Sequence, residues 1–279
     1  SPRGRGPADV SWGAARSYLD SDAMNFGLYE GALPPVIDVA RAGYTFFFFE
    51  GRFTSAIEYH LRINITEVGD FAIQVAYAGY NFKDYHHRSR HNHGAWNLRV
   101  GRQFLALTRE DWMTSQDSLT TEPSAVDQTF GPGSVDGVQA FYGRDRGRLW
   151  FALSNGLGGG NESFPNNLTS QALISARGEV QLLGDDWNNY NDLVGRRGHP
   201  FGILLGIGSG YGIRGPNAPP DDPKHFGQVT VDLTLAGNGF QVLTYGVWNW
   251  EAVGTAQSTW CFVAQGGYFI LDPWQVYVR

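Results

Sequence analysis

The chain has 279 residues, 37 of them glycine, a formal net charge of −6 and one cysteine, Cys261. A single cysteine excludes an internal disulfide framework and a cysteine metal site, and the negative charge argues against general nucleic-acid binding. Lys83 and Lys224 are the only lysines, so the positive charge is carried by arginine, whose rigid fork holds carboxylates and phosphates.

Residues 1–42 read as an N-terminal arm or plug. Ser1 to Asp9 is rich in Pro, Gly and Arg, and Gly27, Gly31, Pro34 and Pro35 interrupt any long helix after Ala14. From Gly43 the period is two. Ile57, Tyr59, Leu61, Ile63 and Ile65 alternate with Glu58, His60, Arg62 and Asn64. Phe71, Ile73, Val75 and Tyr77 form the next apolar row, and Trp96, Leu98 and Val100 alternate with Asn97, Arg99 and Gly101.

The rhythm stops at Leu107. Residues 108–136 show no period before two strands resume at Gly137–Gly143 and Arg148–Gly156, joined by the tight turn Arg144–Gly147. A long aperiodic stretch within a run of strands is either disordered or functional. This one carries Arg109, Glu110, Asp111, Trp112, Asp117 and Asp127, so it lacks the one-sided charge of a disordered tail. The expectation is a loop folded against the scaffold. Further alternating rows follow at Ala172–Leu182 and Gln228–Leu235, and glycine-rich strands at Phe201–Ile213 and Phe262–Ile270.

The pattern predicts roughly a dozen strands of about ten residues, longer than the usual soluble strand. Charged residues stand at mid-strand: Glu58, Arg62, Arg99, Arg177, Glu179 and Asp232. In a soluble sandwich they form the solvent face. In a wide barrel they line an aqueous lumen while the other face meets lipid. Strand length favours the barrel, since a tilted membrane strand needs about 9–11 residues. So do Trp96, Trp187, Trp248, Trp250, Trp260 and Trp274, read as interfacial girdle residues near strand ends. A third argument is the mixture of tight turns (Arg144–Gly147, Gly237–Gly239) with long polar connections at 81–94, 108–136, 184–200 and 215–223, read as short turns on one rim and long loops on the other.

Several short elements in order resemble the phosphate-selective porin O and P family of Gram-negative outer membranes. They are Leu98–Arg102, Thr114–Asp117, Gly137–Gln139, Asn155–Gly156, and Ala264–Phe269 with Pro273 and Trp274. The resemblance spans residues 43–279. It implies a transmembrane antiparallel β-barrel of 16 strands, a homotrimer, in which 108–136 folds inward to narrow the pore. It places the protein in the cell outer membrane, in contact with lipid and lipopolysaccharide, passing small anions or polar solutes. The sequence departs from the family in lacking a lysine-rich constriction, and it stops at Arg279, short of a full set of strands.

The expected constriction sets Arg62, Arg99, Arg102, Arg109 and Arg177 as a basic wall facing Glu110, Asp111 and Asp117. Opposed charges across a narrow pore filter polar solutes; the alternative for each arginine is a local pair that only holds the loop. His86, His87, His91 and His93 read as an exposed basic loop, since their spacing matches no structural zinc motif. No catalytic residues, cofactor or metal are expected, because no nucleophile, base and orienting group come together. The competing expectation is a secreted β-sandwich that binds carbohydrate through its many aromatics, or a glycoside hydrolase. A third is a barrel blocked by residues 1–42 that serves in structure or assembly.

Overall fold

The computed structural model describes residues 25–26, 36–40, 44–53, 56–66, 71–82, 95–113, 123–156, 170–184, 187–191, 193–195, 197–214, 225–253, 255–271 and 274–279. The strands are β1 (Asn25–Phe26), β2 (Val36–Ala40), β3 (Tyr44–Arg52), β4 (Ile57–Thr66), β5 (Phe71–Asn81), β6 (Ala95–Phe104), β7 (Ser134–Arg144) and β8 (Gly147–Ser154). They continue as β9 (Ser170–Leu183), β10 (Gly202–Arg214), β11 (His225–Gly237), β12 (Phe240–Val253), β13 (Thr255–Leu271) and β14 (Trp274–Val278). All lie in one antiparallel sheet, each beside its neighbour in the chain, with β1 and β14 as its edges. The architecture is all-β and compatible with a barrel. Among the described residues it is not closed and its strands number fourteen, against the sixteen implied by the resemblance. Part of the segment read as an arm belongs to this sheet: β1 pairs with β2, and β2 with β3.

The sheet is inverted relative to a water-soluble protein. On β8, Arg148, Trp150, Ala152 and Ser154 are buried, whereas Leu149 and Phe151 are 57% and 55% exposed. On β9, Leu173, Ser175, Arg177, Glu179 and Gln181 point inward, while Ile174, Val180 and Leu182 point out. On β11, Gln228, Thr230, Asp232 and Thr234 are buried and Val231 is exposed. Antiparallel pairing brings like-facing residues of adjacent strands into rows, so the outer surface forms continuous apolar bands. Among the described residues there is no second sheet for these bands to pack on.

One predicted row changes sides. Arg62 pairs with Val75 and Ile63 with Ile73, leaving Gln74 as the extra residue of a bulge. Val75 is therefore buried while Ile73 is exposed, because one inserted residue moves everything beyond it to the other face.

Strand order also corrects the rim argument. In an up-and-down sheet, connections alternate between rims. The turns between β7 and β8 and between β11 and β12 share a rim, but the long connections between β5 and β6 and between β9 and β10 belong to that same rim. Long and short connections are mixed, and the asymmetry expected from sequence is not there.

Candidate functional site

Of the connection between β6 and β7, residues 105–113 and 123–133 lie against the inner face of the sheet. The connection contains two short helices, α1 (Arg109–Trp112) and α2 (Ala125–Phe130), where the sequence showed no period. Both start at hydroxyl caps: the Thr108 side chain accepts from the Asp111 amide and the Ser124 side chain from the Asp127 amide. Such caps satisfy amides that a first helical turn leaves free.

The inner face is apolar where this segment rests. Leu105 packs with Val135, Ala152, Leu173 and Phe226. Ala106 and Trp112 pack with Phe141 and Trp150. Met113, Val126 and Phe130 pack with Leu243, Tyr245, Val247 and Val263. The described residues of this connection thus rest on β7 and β8 and on β12 and β13.

A buried charge lattice fixes its first turn. Arg109 Nη1 donates to Glu179 Oε1 at 2.9 Å, and Arg177 Nη2 reaches the same oxygen at 2.9 Å and Asp232 Oδ2 at 2.7 Å. The Leu107 carbonyl accepts from Arg177 Nη1 at 3.3 Å and from Thr230 Oγ1 at 2.8 Å. Glycines on β10 leave room for this. A Cβ at Gly206 would stand 2.3 Å from Arg177 Nη2, and one at Gly208 would stand 2.3 Å from the Leu107 oxygen.

A second cluster is acidic. Glu110 accepts from the Ser124 amide at 2.8 Å, from Tyr245 Oη at 2.7 Å and from Arg279 Nη2 at 3.3 Å. Asp127 accepts a short hydrogen bond from Thr108 Oγ1. Asp111 and Asp127 converge on Gly131, whose missing side chain leaves space for both: a Cβ there would lie 3.2 Å from Asp111 Oδ1 and 3.3 Å from Asp127 Cγ. Burial pushes the Asp127 carboxyl up to about 7, against the pull of the Thr108 bond. Burial, then the neighbouring Asp127 charge, raises Asp111 well above the usual carboxylate range.

A second inward segment comes from the opposite rim. A 3-10 turn at Trp187–Tyr190, followed by Leu193 and Val194, is buried. Trp187 is therefore an interior residue and not an interfacial girdle tryptophan. Its ring lies under Arg148 at 3.8 Å and its Nε1 donates to the Asp145 carbonyl at 2.6 Å. Burial raises the Tyr190 hydroxyl to about 12. The two segments meet: Arg109 Nη2 donates to the Tyr190 carbonyl, and Met113 shares a core with Leu193. A signal for this was present in the sequence, since a polar connection carrying Trp187, Tyr190, Leu193 and Val194 is too apolar to lie in water.

The predicted residues that lie among the described ones fall into four groups. Arg109 and Arg177 are paired inside the lattice, with no solvent on either side chain. Glu110 and Asp111 face Tyr245, Arg279 and Asp127, away from those arginines. Arg62 and Arg99 lie on the inner face of β4 and β6. There Arg99 Nε pairs with Glu58 at 3.2 Å and stacks over Tyr77 at 4.8 Å, and Asn97 donates to Glu58 at 3.1 Å. Arg102 shares the outer side of β6 with Val100 and stands opposite Asp136 in register. The expected facing of Arg109 and Arg177 against Glu110 and Asp111 is absent, because acids on β9 and β11 already neutralise those arginines. Asp117 and the histidine-rich stretch lie outside the described residues.

Among the described residues no cluster of His, Cys, Asp or Glu is arranged to hold a metal ion. No family model and no curated protein matches the chain.

Proposed function

We propose that the chain is an outer-membrane porin-type protein of a Gram-negative-type bacterium that passively conducts small hydrophilic solutes or ions. The observation that carries this reading is the inverted sheet, with charge buried inside and bands of Leu149, Phe151, Ile174, Val180, Ile207 and Val231 outside. An apolar exterior of that extent marks an interaction surface, and a lipid-facing strand alternates in this way. No helix of the described residues is long and apolar enough to cross a membrane, so spanning falls to the strands.

The conducting path of this reading follows the inner wall of β3 to β6, whose described residues are absent from the apolar clusters that the two inward segments make. That wall carries Glu50, His60, Tyr77, Arg99, Glu58 and Arg62. His60 stacks on Tyr77 at 5.6 Å, and its Nδ1 lies 3.2 Å from Glu50, whose side chain is 41% exposed. Arg62 and Arg99 are matched on this wall by Glu50 and Glu58, so the path is mixed in charge. Filtering is by size and charge, with no chemical step or cofactor. A homotrimer in lipid and lipopolysaccharide completes the proposal.

A second reading has a specific observation behind it. The contact of Arg109 with the Tyr190 carbonyl joins segments entering from both rims, which suits a plugged barrel with a structural role. Single-channel recording of detergent-purified protein in a planar bilayer separates the two. Stable conductance steps with a salt-gradient reversal potential support the porin. A folded, inserted protein that never conducts supports the plugged barrel, and a protein soluble without detergent overturns both.

A further inference from the structure

The outer face is not evenly ridged. In the row Tyr142–Leu149–Gly178–Ile207, a glycine sits between two large side chains. The row toward the turn is Arg144–Gly147–Val180–Leu205, and the row on the other side is Ala140–Phe151–Ala176–Ser209. Ala140, Gly147, Ala176, Gly178 and Ser209 are the small residues of these rows. Gly147 and Gly178 lie in a depression of about 390 Å³ that Arg144 also lines, and Gly178, Ala176 and Ser209 lie in a second of about 560 Å³ between Leu149, Phe151 and Ile207; the two share Tyr142, Leu149, Gly178 and Ile207 and together form an oblique slot. A Cβ at Gly178 would touch only Leu149 Cδ2, at 3.3 Å, so no packing inside the protein demands this glycine.

We infer that this slot holds one acyl chain of an anionic glycerophospholipid whose phosphate is bound by Arg144 and Arg146. The inference rests on the membrane reading above. Two observations select the occupant. From Gly147 to Ser209 the slot crosses two strand spacings and four residues of rise, about 16 Å, close to the roughly 15 Å of hydrocarbon in one leaflet. Its mouth opens at the β7–β8 turn, where Arg144, Asp145 and Arg146 are all exposed, a net positive charge at the depth of a headgroup. Arg144 lies 3.9 Å from Asp145, a surface pair that leaves the guanidinium open to a phosphate. The slot walls admit a flexible chain, and the arginines choose its headgroup.

The test is native mass spectrometry of the full chain purified in detergent, with added phosphatidylglycerol or phosphatidylcholine of equal chain length. Phosphatidylglycerol adducts persist at collision energies that strip phosphatidylcholine. Gly178→Leu fills the slot and lowers retention of both lipids by about tenfold. The double variant R144A/R146A lowers phosphatidylglycerol retention alone, by about fivefold for each charge removed. Heat-shifted mobility on an unheated gel confirms that each variant is folded. Equal retention of the two lipids by the parent protein overturns the proposal, as does unchanged retention in Gly178→Leu. A Gly178→Leu protein that loses its oligomeric state, with no lipid adduct on the parent, overturns it in favour of a second copy in the slot. If the protein inserts and conducts but retains no lipid, this inference fails alone; if it is soluble without detergent, the membrane reading fails with it.

Discussion

Arg109 and Glu179 meet at 2.9 Å with no solvent on either side chain, one residue on an inward-folded segment and the other on the wall that receives it. The pair is a joint between two parts of the chain seventy residues apart. Arg177 completes it by bridging Glu179 to Asp232, so two acids and two guanidinium groups neutralise one another in the interior.

Removing one member of such a lattice leaves a buried charge without a partner. Arg177→Met strands Asp232 and weakens the hold on Glu179, and a loss of about 3–5 kcal/mol is expected. Urea unfolding of the lipid-reconstituted protein, followed by tryptophan fluorescence, reads this directly. An unchanged midpoint would mean that the lattice contributes nothing.

Gly208 tests the seating of the segment. Gly208→Ala puts a methyl carbon against the Leu107 carbonyl, and overpacking of this kind costs about 1–3 kcal/mol. The segment shifts off the wall, so protease cleavage within 105–133 accelerates and conductance changes. Ser209→Ala, one residue along and on the outer face, is the control and leaves both unaltered.

The acidic cluster predicts a pH dependence with a definite sign. Asp127 is raised by burial from the ordinary carboxyl value of 3.8 to about 7 in the folded protein, so the folded state holds its proton more tightly than the unfolded chain. Stability falls as pH rises from the unfolded value toward 7 and levels off above it. Asp111, also raised, adds a slope of the same sign. Asp127→Asn flattens the dependence, and denaturant midpoints between pH 4 and pH 8 measure it. A parent protein that gains stability with pH across this window would contradict the assignment.

The membrane reading makes its own demand on the outer face. Ile207 stands mid-strand on β10 and is 56% exposed. Ile207→Lys costs about 2–4 kcal/mol if that position meets the bilayer midplane, and nearly nothing if it meets water. Folding yield into phospholipid vesicles decides between the two.

Much of the fold was legible because period two is a direct print of the pleat. Ile57, Tyr59 and Leu61 against Glu58 and Arg62, and Val231 against Asp232, are sorted by the sheet as the alternation demands. The pattern is blind to an inserted residue, which is why Ile73 and Val75 were placed together although Gln74 separates their faces. It is equally blind to direction in space. Arg99 and Arg102 stand three residues apart on one strand, and three is odd, so one lies inside and the other outside. The pairings of Arg109 with Glu179 and of Arg177 with Asp232 were unreadable because they join residues 70 and 55 positions apart, whereas Glu179 stands only two residues from Arg177 on the same strand. The inward course of 187–195 went unread because its apolar residues have no period.

The row Gly206, Gly208, Gly210 also sets an order of events. The Leu107 carbonyl rests over Gly208 between Arg177 of β9 and Thr230 of β11, and 123 residues separate it from Thr230. Its cradle does not exist until β9, β10 and β11 are zipped. The segment that is emitted early must therefore wait, unsatisfied, for strands that come much later, a long-range closure of the kind that slows folding. A factor that shelters residues 105–113 during that interval would speed maturation without touching the finished protein.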